Sequence, residues 1–209
     1  MTNSSKNTKN KKISSEAETF DSSWLRQYEN LGNNDLPDPI RATYEPEFYA
    51  KREVFIRHVL KDLPAVPVSV GRGKPAGLDV GCNVGRYTQV IADAYDVDVC
   101  GVDYAESMIK AARIRYPACT FVRGNAYELP FPSDTYEYAV SLGLLQCVAD
   151  WQRVLAEIVR VLRPGGVGVV ETNRAFSPAE AWARSSKHLV CGSMNWRQAG
   201  EFARSYASL

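Results

Sequence analysis

The chain has 209 residues, 45% of them hydrophobic and 23% charged, enough to bury one substantial core and too few to favour two domains. Its formal net charge is +1, yet residues 1–12 hold four lysines and no acid, so the remainder, with 21 basic against 24 acidic side chains, carries about −3. A body of that charge offers no footprint for a nucleic-acid polyanion, and a small-molecule partner is the expectation.

From the N-terminus, residues 1–18 are rich in Asn, Ser, Thr and Lys with no apolar segment of a secretory signal, and are expected to be a disordered polar tail. Residues 19–75 read as an N-terminal helical cap and linker. Within them "PEFYAKREVFIRHVLKDL" has the period of an amphipathic helix, its stripe running through Phe48, Phe55, Val59 and Leu63. "PAVPVSVGRGKP" is a Pro/Gly-rich connector. No run of 18 apolar residues occurs, so no membrane span is expected. The five cysteines, Cys82, Cys100, Cys119, Cys147 and Cys191, are odd in number and lack a C-x-x-C pair, which indicates neither a disulfide framework nor a zinc site. A soluble cytoplasmic protein with no metal is the reading.

Residues 76–209 alternate short apolar runs with helical patterns. "AGLDVG", "VDVCGVD", "CTFVRG", "YEYAVSLGLL" and "VGVVET" have the length of buried parallel strands. Tyr87, Val90, Ile91 and Ala94 give the stripe of a first intervening helix; Trp151, Val154, Leu155, Ile158 and Leu162 give that of a later one, with Asp150 placed as its N-cap and Pro164-Gly165-Gly166 as its stop. The fold class that follows is a doubly wound α/β sheet, mostly parallel, with right-handed crossovers.

In such sheets ligands bind beyond the carboxyl ends of the strands, at the point where the strand order reverses. "LDVGCNVGRYTQ" lies there, with Gly81 and Gly85 spaced as G-x-x-x-G and Asp79 two residues ahead. A dinucleotide loop would read G-x-G-x-x-G and offer a helix N-terminus to a pyrophosphate. An acid on that lip suits a cation better. The second strand ends in Asp103, 22 residues after Gly81, the spacing at which a carboxylate meets a ribose diol. Asn125 and Ala126 follow the third strand, where a base edge could lie. A nucleoside bearing a positive charge is the ligand these residues describe.

"LDVGCNVGRYTQ", "VCGVDYAESMIKAAR", "FVRGNAYELPFPSDTYEYAVSLGLLQCVADW" and "VLRPGGVGVVET" resemble, in order and spacing, the successive motifs of class I S-adenosylmethionine-dependent methyltransferases, in particular the small-molecule and ubiquinone/menaquinone-biosynthesis group. The resemblance runs from about Gly77 to Glu171, with weaker similarity to about Gly200. It implies a Rossmann-like domain whose cofactor is S-adenosyl-L-methionine. It implies that Asp79, Gly81, Cys82, Asn83 and Gly85 form the turn facing the methionine part. Asp103 would take the ribose, with Tyr104 and Met108 beside the adenine; Asn125 and Ala126 would read the adenine edge; Leu142 and Gly143 would lie beside the sulfonium. The chain departs from the family at Asn83, usually glycine, at Asn125, usually an acid, and at Gln146 and Cys147, often two histidines. Asn is the residue besides glycine that best tolerates the left-handed region, so Asn83 is expected to keep the turn.

The implied reaction is methyl transfer to a small-molecule acceptor by in-line displacement, with alignment supplying much of the rate. No catalytic base is named: His58 and His188 lie outside every motif. Trp24, Tyr28, Tyr44 and Tyr49 are candidates for a substrate wall or for plain core. Cys82 is read equally as a small buried apolar residue, and Asp134 and Glu137 as turn residues near a strand. Two further readings compete: a catalytically weak or inactive cofactor-binding module, and a nicotinamide dehydrogenase, against which the glycine spacing and Asp79 both speak. Family members continue past the fifth strand through a helix into two more strands, whereas "NWRQAGEFARSYASL" reads here as that helix. The expectation is therefore five strands in the order 3-2-1-4-5, a shortened C-terminus with two strands missing, and a homodimer possible through an exposed fifth-strand edge.

Overall fold

The computed structural model describes residues 25–26, 28–29, 53–54, 56–57, 66, 71, 73–171, 188–194 and 202–207. The elements are β1 (Ala76–Val80), α1 (Arg86–Tyr95), β2 (Asp98–Asp103), α2 (Glu106–Arg115), β3 (Thr120–Arg123), β4 (Tyr136–Ser141), α3 (Trp151–Val161), β5 (Leu162–Glu171), β6 (His188–Met194) and β7 (Phe202–Ala207). The first five strands are parallel in the order β3-β2-β1-β4-β5, as the alternation of apolar runs and helices requires.

The sheet does not stop there. β6 pairs with β5 in parallel and β7 with β6 antiparallel, giving seven strands in the order β3-β2-β1-β4-β5-β6-β7. The expectation of two missing strands is corrected, and with it the exposed fifth-strand edge: β5 has a neighbour on each side. The helix read into "NWRQAGEFARSYASL" is corrected where the structure describes it, since Phe202–Ala207 is β7. That stretch reads Phe-Ala-Arg-Ser-Tyr-Ala, a spacing of the two aromatics that suits a helical turn, and six residues are too few for periodicity to decide between helix and strand.

β1 and β4 lie at the centre, buried along their whole length. On one face of the sheet Leu78, Val80, Ala139 and Val170 pack with Val154, Leu155 and Ile158 of α3. On the other face Val99, Tyr138, Val140, Val167 and Val169 meet Val90 and Ile91 of α1, and Ile56 and Val66 from the N-terminal region complete that cluster. Among the described residues of its helical stretch Ile56 is the buried side chain; Phe48, Phe55, Val59 and Leu63 lie outside the described residues. Ala94, assigned to the α1 stripe, is exposed, its place toward the core taken by Ala92. Tyr138 crosses to the connector, its hydroxyl accepting from the Val66 N–H at 3.0 Å.

Asp150 caps α3 as expected, its carboxylate accepting from Arg153 N–H at 3.1 Å. The helix ends at Val161, before Pro164, and β5 begins at Leu162 and carries Pro164-Gly165-Gly166 within it as a register shift against β4. Gly166 is required by that shift: a Cβ there would stand 2.9 Å from the Arg163 carbonyl and 3.1 Å from that of Glu137. Glu137 is no turn residue. Wholly buried on β4, it accepts from Ala76 N–H at 2.7 Å and from Arg163 at 2.7 Å, tying β1, β4 and β5 together near their amino ends.

Candidate cofactor site at the carboxyl ends of β1, β2 and β4

The turn after β1 is built from left-handed residues. Gly81, Asn83 and Gly85 have φ of 79°, 53° and 80°. Asn83 therefore holds the conformation expected of it, and its side chain adds a bond glycine lacks: Oδ1 accepts from Val84 N–H at 2.7 Å. Gly81 and Cys82 N–H donate to the Val102 carbonyl at 2.8 and 3.0 Å, which seats the turn on β2. Gly85 opens α1 where no other residue fits, because a Cβ would stand 2.6 Å from Phe121 Cζ and 3.1 Å from Ala112 Cβ.

Asp103 ends β2 with both oxygens engaged. Oδ2 accepts from Asn83 N–H at 2.8 Å and Oδ1 from Ala105 N–H at 2.9 Å. Burial pushes its carboxyl above the usual aspartate range, while the amides of Ala105, Asn83 and Tyr104 pull the other way. Each oxygen has a second lone pair, so the carboxylate remains an acceptor held in place. Next to it the Tyr104 ring is 49% exposed, with the Arg123 guanidinium 5.9 Å from its centroid and Arg123 Nε donating to its carbonyl at 3.2 Å.

Asp79 behaves differently. Its carboxylate is buried beneath the turn and accepts from Thr88 Oγ1 of α1 at 2.6 Å, so it braces the turn against the helix from below. Cys82 points its side chain into the cluster of Ile109, Ala112 and Phe121, and burial raises its thiol well above the ordinary value, with Asp79 and Asp103 adding to the shift. It contributes backbone to the turn and no thiolate. Met108 is fully buried with Val84 and Ala105, against Leu25 and Tyr28, and so is a packing residue under the site.

Asn125 is exposed and folded back: Oδ1 accepts from Tyr127 N–H at 2.9 Å while its carbonyl accepts from Glu128 N–H at 3.0 Å. Ala126 is partly buried against the α3-side core. Leu142 and Gly143 leave β4 on the same edge of the sheet as Gly81 and Asp103, Gly143 with φ of 79°. Cys147 folds back on this loop, its Sγ donating to the Gly143 carbonyl at 3.5 Å, and burial pushes the thiol up to about 11. Asp134 has φ of 55° and donates its N–H to the Arg160 carbonyl, a turn residue as read. His58 lies outside the described residues and His188 opens β6 by its backbone.

Three participants escaped the sequence. Thr88 is the partner of Asp79, nine positions on, a spacing with no motif of its own. Leu144 packs on the turn, its side chain 3.1 to 3.3 Å from where a Gly81 Cβ would be. Glu29 accepts from Glu106 N–H at 2.8 Å and Ser107 N–H at 3.1 Å across more than 70 residues of chain, a separation no local pattern reveals.

A family profile described as "Methyltransferase domain" matches residues 78–170, the stretch that holds β1 to β5 and every residue of this edge except those from the N-terminal region. Over this stretch the chain is similar to the class I S-adenosylmethionine-dependent methyltransferases. The chain is 39% identical over 108 residues to demethylmenaquinone methyltransferase of Lysinibacillus sphaericus, covering 48% of this chain and 46% of that one. It is 38% identical over 114 residues to the enzyme of that name from Bacillus licheniformis, covering 51% and 48%. The chain thus spans about half the length of these curated relatives. In fold it matches a candidate S-adenosyl-L-methionine-dependent methyltransferase of Methanococcus maripaludis with a TM-score of 0.51 at 15% identity, over 71% of this chain and 58% of that one. The PH0226 protein of Pyrococcus horikoshii gives 0.50 at 21% identity, over 73% and 61%. S-adenosylmethionine is the cofactor of the class.

Proposed function

We propose that the protein transfers a methyl group from S-adenosylmethionine to a small-molecule acceptor, and that the acceptor is a quinol ring of the demethylmenaquinone type. The observation that carries the first part is the bond from Asn83 N–H to Asp103: it locks the left-handed turn to the acidic end of β2, so that a nucleoside's ribose and its amino-acid arm are addressed by one rigid unit. The second part rests on the relatives at 38 and 39% identity.

The residues fit the cofactor. Asp103 would take both ribose hydroxyls on its remaining lone pairs, and the exposed Tyr104 ring would pack on the adenine. Asn125, its oxygen occupied by Tyr127, would present its amide hydrogens to a ring nitrogen. When bound, S-adenosylmethionine supplies a methyl group on a cationic sulfur, and the leaving group is neutral. The chain's task is then to align donor and acceptor; orientation of this kind contributes roughly 7 to 11 kcal/mol.

Calorimetry with S-adenosylmethionine, S-adenosylhomocysteine and NAD tests the reading, followed by transfer of labelled methyl to a demethylmenaquinone analogue. Binding of the first two with transfer is expected; binding of NAD alone would overturn it. The binding-module alternative keeps one support: where the family often has two histidines, Cys147 spends its proton on the Gly143 carbonyl and offers no base at neutral pH. Tight binding with no transfer to any acceptor would favour it.

A further inference from the structure

Tyr127 stands between two loops at the carboxyl edge of the sheet and is bonded to both. Its N–H donates to Asn125 Oδ1 at 2.9 Å within the loop from β3 to β4. Its ring reaches the far end of the loop from β4 to α3, where the hydroxyl accepts from Ala149 N–H at 3.1 Å and from Asp150 N–H at 3.3 Å. Those two amides precede α3 and belong to no strand, and one phenol oxygen can accept from both. From α3, Arg153 donates Nε to the Tyr127 carbonyl at 3.1 Å and sets its guanidinium 5.6 Å from the ring centroid. Ala126 and Tyr127 pack in the same apolar cluster as Leu145 and Val148 of the second loop, together with Leu144, whose side chain lies against Gly81.

We propose that Tyr127 is a positioning residue that joins the adenine end of the cofactor site to the loop beside the sulfonium, so that a bound nucleoside steadies the start of α3. The assignment rests on the proposed function, which sets the adenine at Asn125 and the sulfonium beside Gly143. Its physical basis is a short path of bonds. Asn125 gives its side-chain oxygen to the Tyr127 amide, and the Tyr127 ring, rigid from Cβ to hydroxyl, carries the constraint to Ala149 and Asp150. The loop from Leu142 to Asp150 is then held at one end by β4, in its middle by the buried Leu145 and Val148, and at its far end by Tyr127. Phenylalanine would fill the cluster as well, so the hydroxyl is what serves the loop. The placement matters because a shift of about 1 Å at a reacting centre can cost about a hundredfold in rate.

The test uses the full chain and saturating S-adenosylhomocysteine, with two readouts that do not depend on turnover. Calorimetry gives the affinity; amide hydrogen exchange followed by NMR gives the protection of Ala149 and Asp150. In the wild type, the ligand is expected to slow exchange of both amides at least fivefold. In Tyr127→Phe both amides are expected to exchange faster than in the wild type, and the ligand to change them less than twofold, while its affinity stays within threefold. A hydroxyl that only braced the fold would raise exchange with and without ligand alike and leave the fivefold ratio standing, which would overturn the proposal. A loss of affinity beyond tenfold in this variant would place the hydroxyl in the binding site itself and overturn the positioning role. Arg153→Leu, which removes the bond to the Tyr127 carbonyl and the charge over its ring, is expected to lower the ratio by a smaller factor. It stands in should Tyr127→Phe fail to fold, and a wild-type ratio there would overturn the proposal. A wild type that binds the ligand without protecting Ala149 and Asp150 would also overturn it while leaving the function intact. Failure of the wild type to bind the ligand at all would overturn the function and the positioning role with it.

Discussion

Asn83 donates its backbone N–H to Asp103 at 2.8 Å, so the residue that replaces the family's usual glycine is itself bonded to the acid at the end of the next strand. Asn83→Gly keeps the φ of 53° and the N–H, losing only the Oδ1 bond to Val84, and should cost about 1 kcal/mol. Asn83→Ala loses that bond and bears the left-handed strain, about 2 kcal/mol in all. Urea melts of the two variants should rank them in that order; an alanine variant as stable as the glycine one would mean the turn relaxes out of the left-handed region.

Asp103→Ala should weaken S-adenosylhomocysteine binding about tenfold or more, the loss of charge-assisted bonds worth roughly 1.5 kcal/mol or above. Calorimetry reads this directly. Unchanged affinity would refute the ribose role.

The same carboxyl predicts a pH dependence. Its folded value is raised, chiefly by burial, so the folded state holds the proton more tightly than the unfolded chain, and this group's contribution to stability declines as pH rises from the ordinary aspartate value through the folded one. Ligand affinity runs the other way, since the ribose needs the ionised acceptor. It should fall on acidification, starting above the pH at which an ordinary aspartate titrates, and Asp103→Asn should bind more weakly with that slope removed.

Gly85→Ala should destabilise by about 2 to 4 kcal/mol, from left-handed strain and from overlap with Phe121. Adding Phe121→Leu should recover part of the loss. Thermal melts of the single and double variants would show this, and strict additivity would exclude the contact as the cause.

Cys82 should resist alkylation by iodoacetamide at pH 8 in the native protein and react once it is unfolded, because burial holds its thiol well above the ordinary range. Peptide mapping separates it from Cys119, which is partly exposed.

The strand ends were legible because they combine two independent signals, an apolar run and a polar residue in a fixed register. Asp79 and Asp103 both fall at the end of their strands, and Asn83 took its left-handed conformation for the reason its chemistry suggests. What the pattern could not show was side-chain direction: Asp79 turns beneath the loop to Thr88, and Cys82 and Met108 turn into the core. Long-range partners were equally hidden, as with Glu29 and α2. The sixth and seventh strands were missed because short segments carry helical and strand periodicity almost equally, and pairing, of β6 to β5 and of β7 to β6, decides between them.

Ile56 and Val66 lie outside the stretch that resembles other methyltransferases, yet both are buried against α1, β2 and β4, and Glu53 holds Arg86 of α1 at 3.3 Å. A fragment cut at the limits of similarity would therefore present Val90, Val97 and Val99 to water as a contiguous greasy face. It should bind hydrophobic dyes and precipitate. For expression, deletion mapping or fusion of this module, the useful N-terminal limit lies upstream of Glu53, some 25 residues before recognisable homology begins.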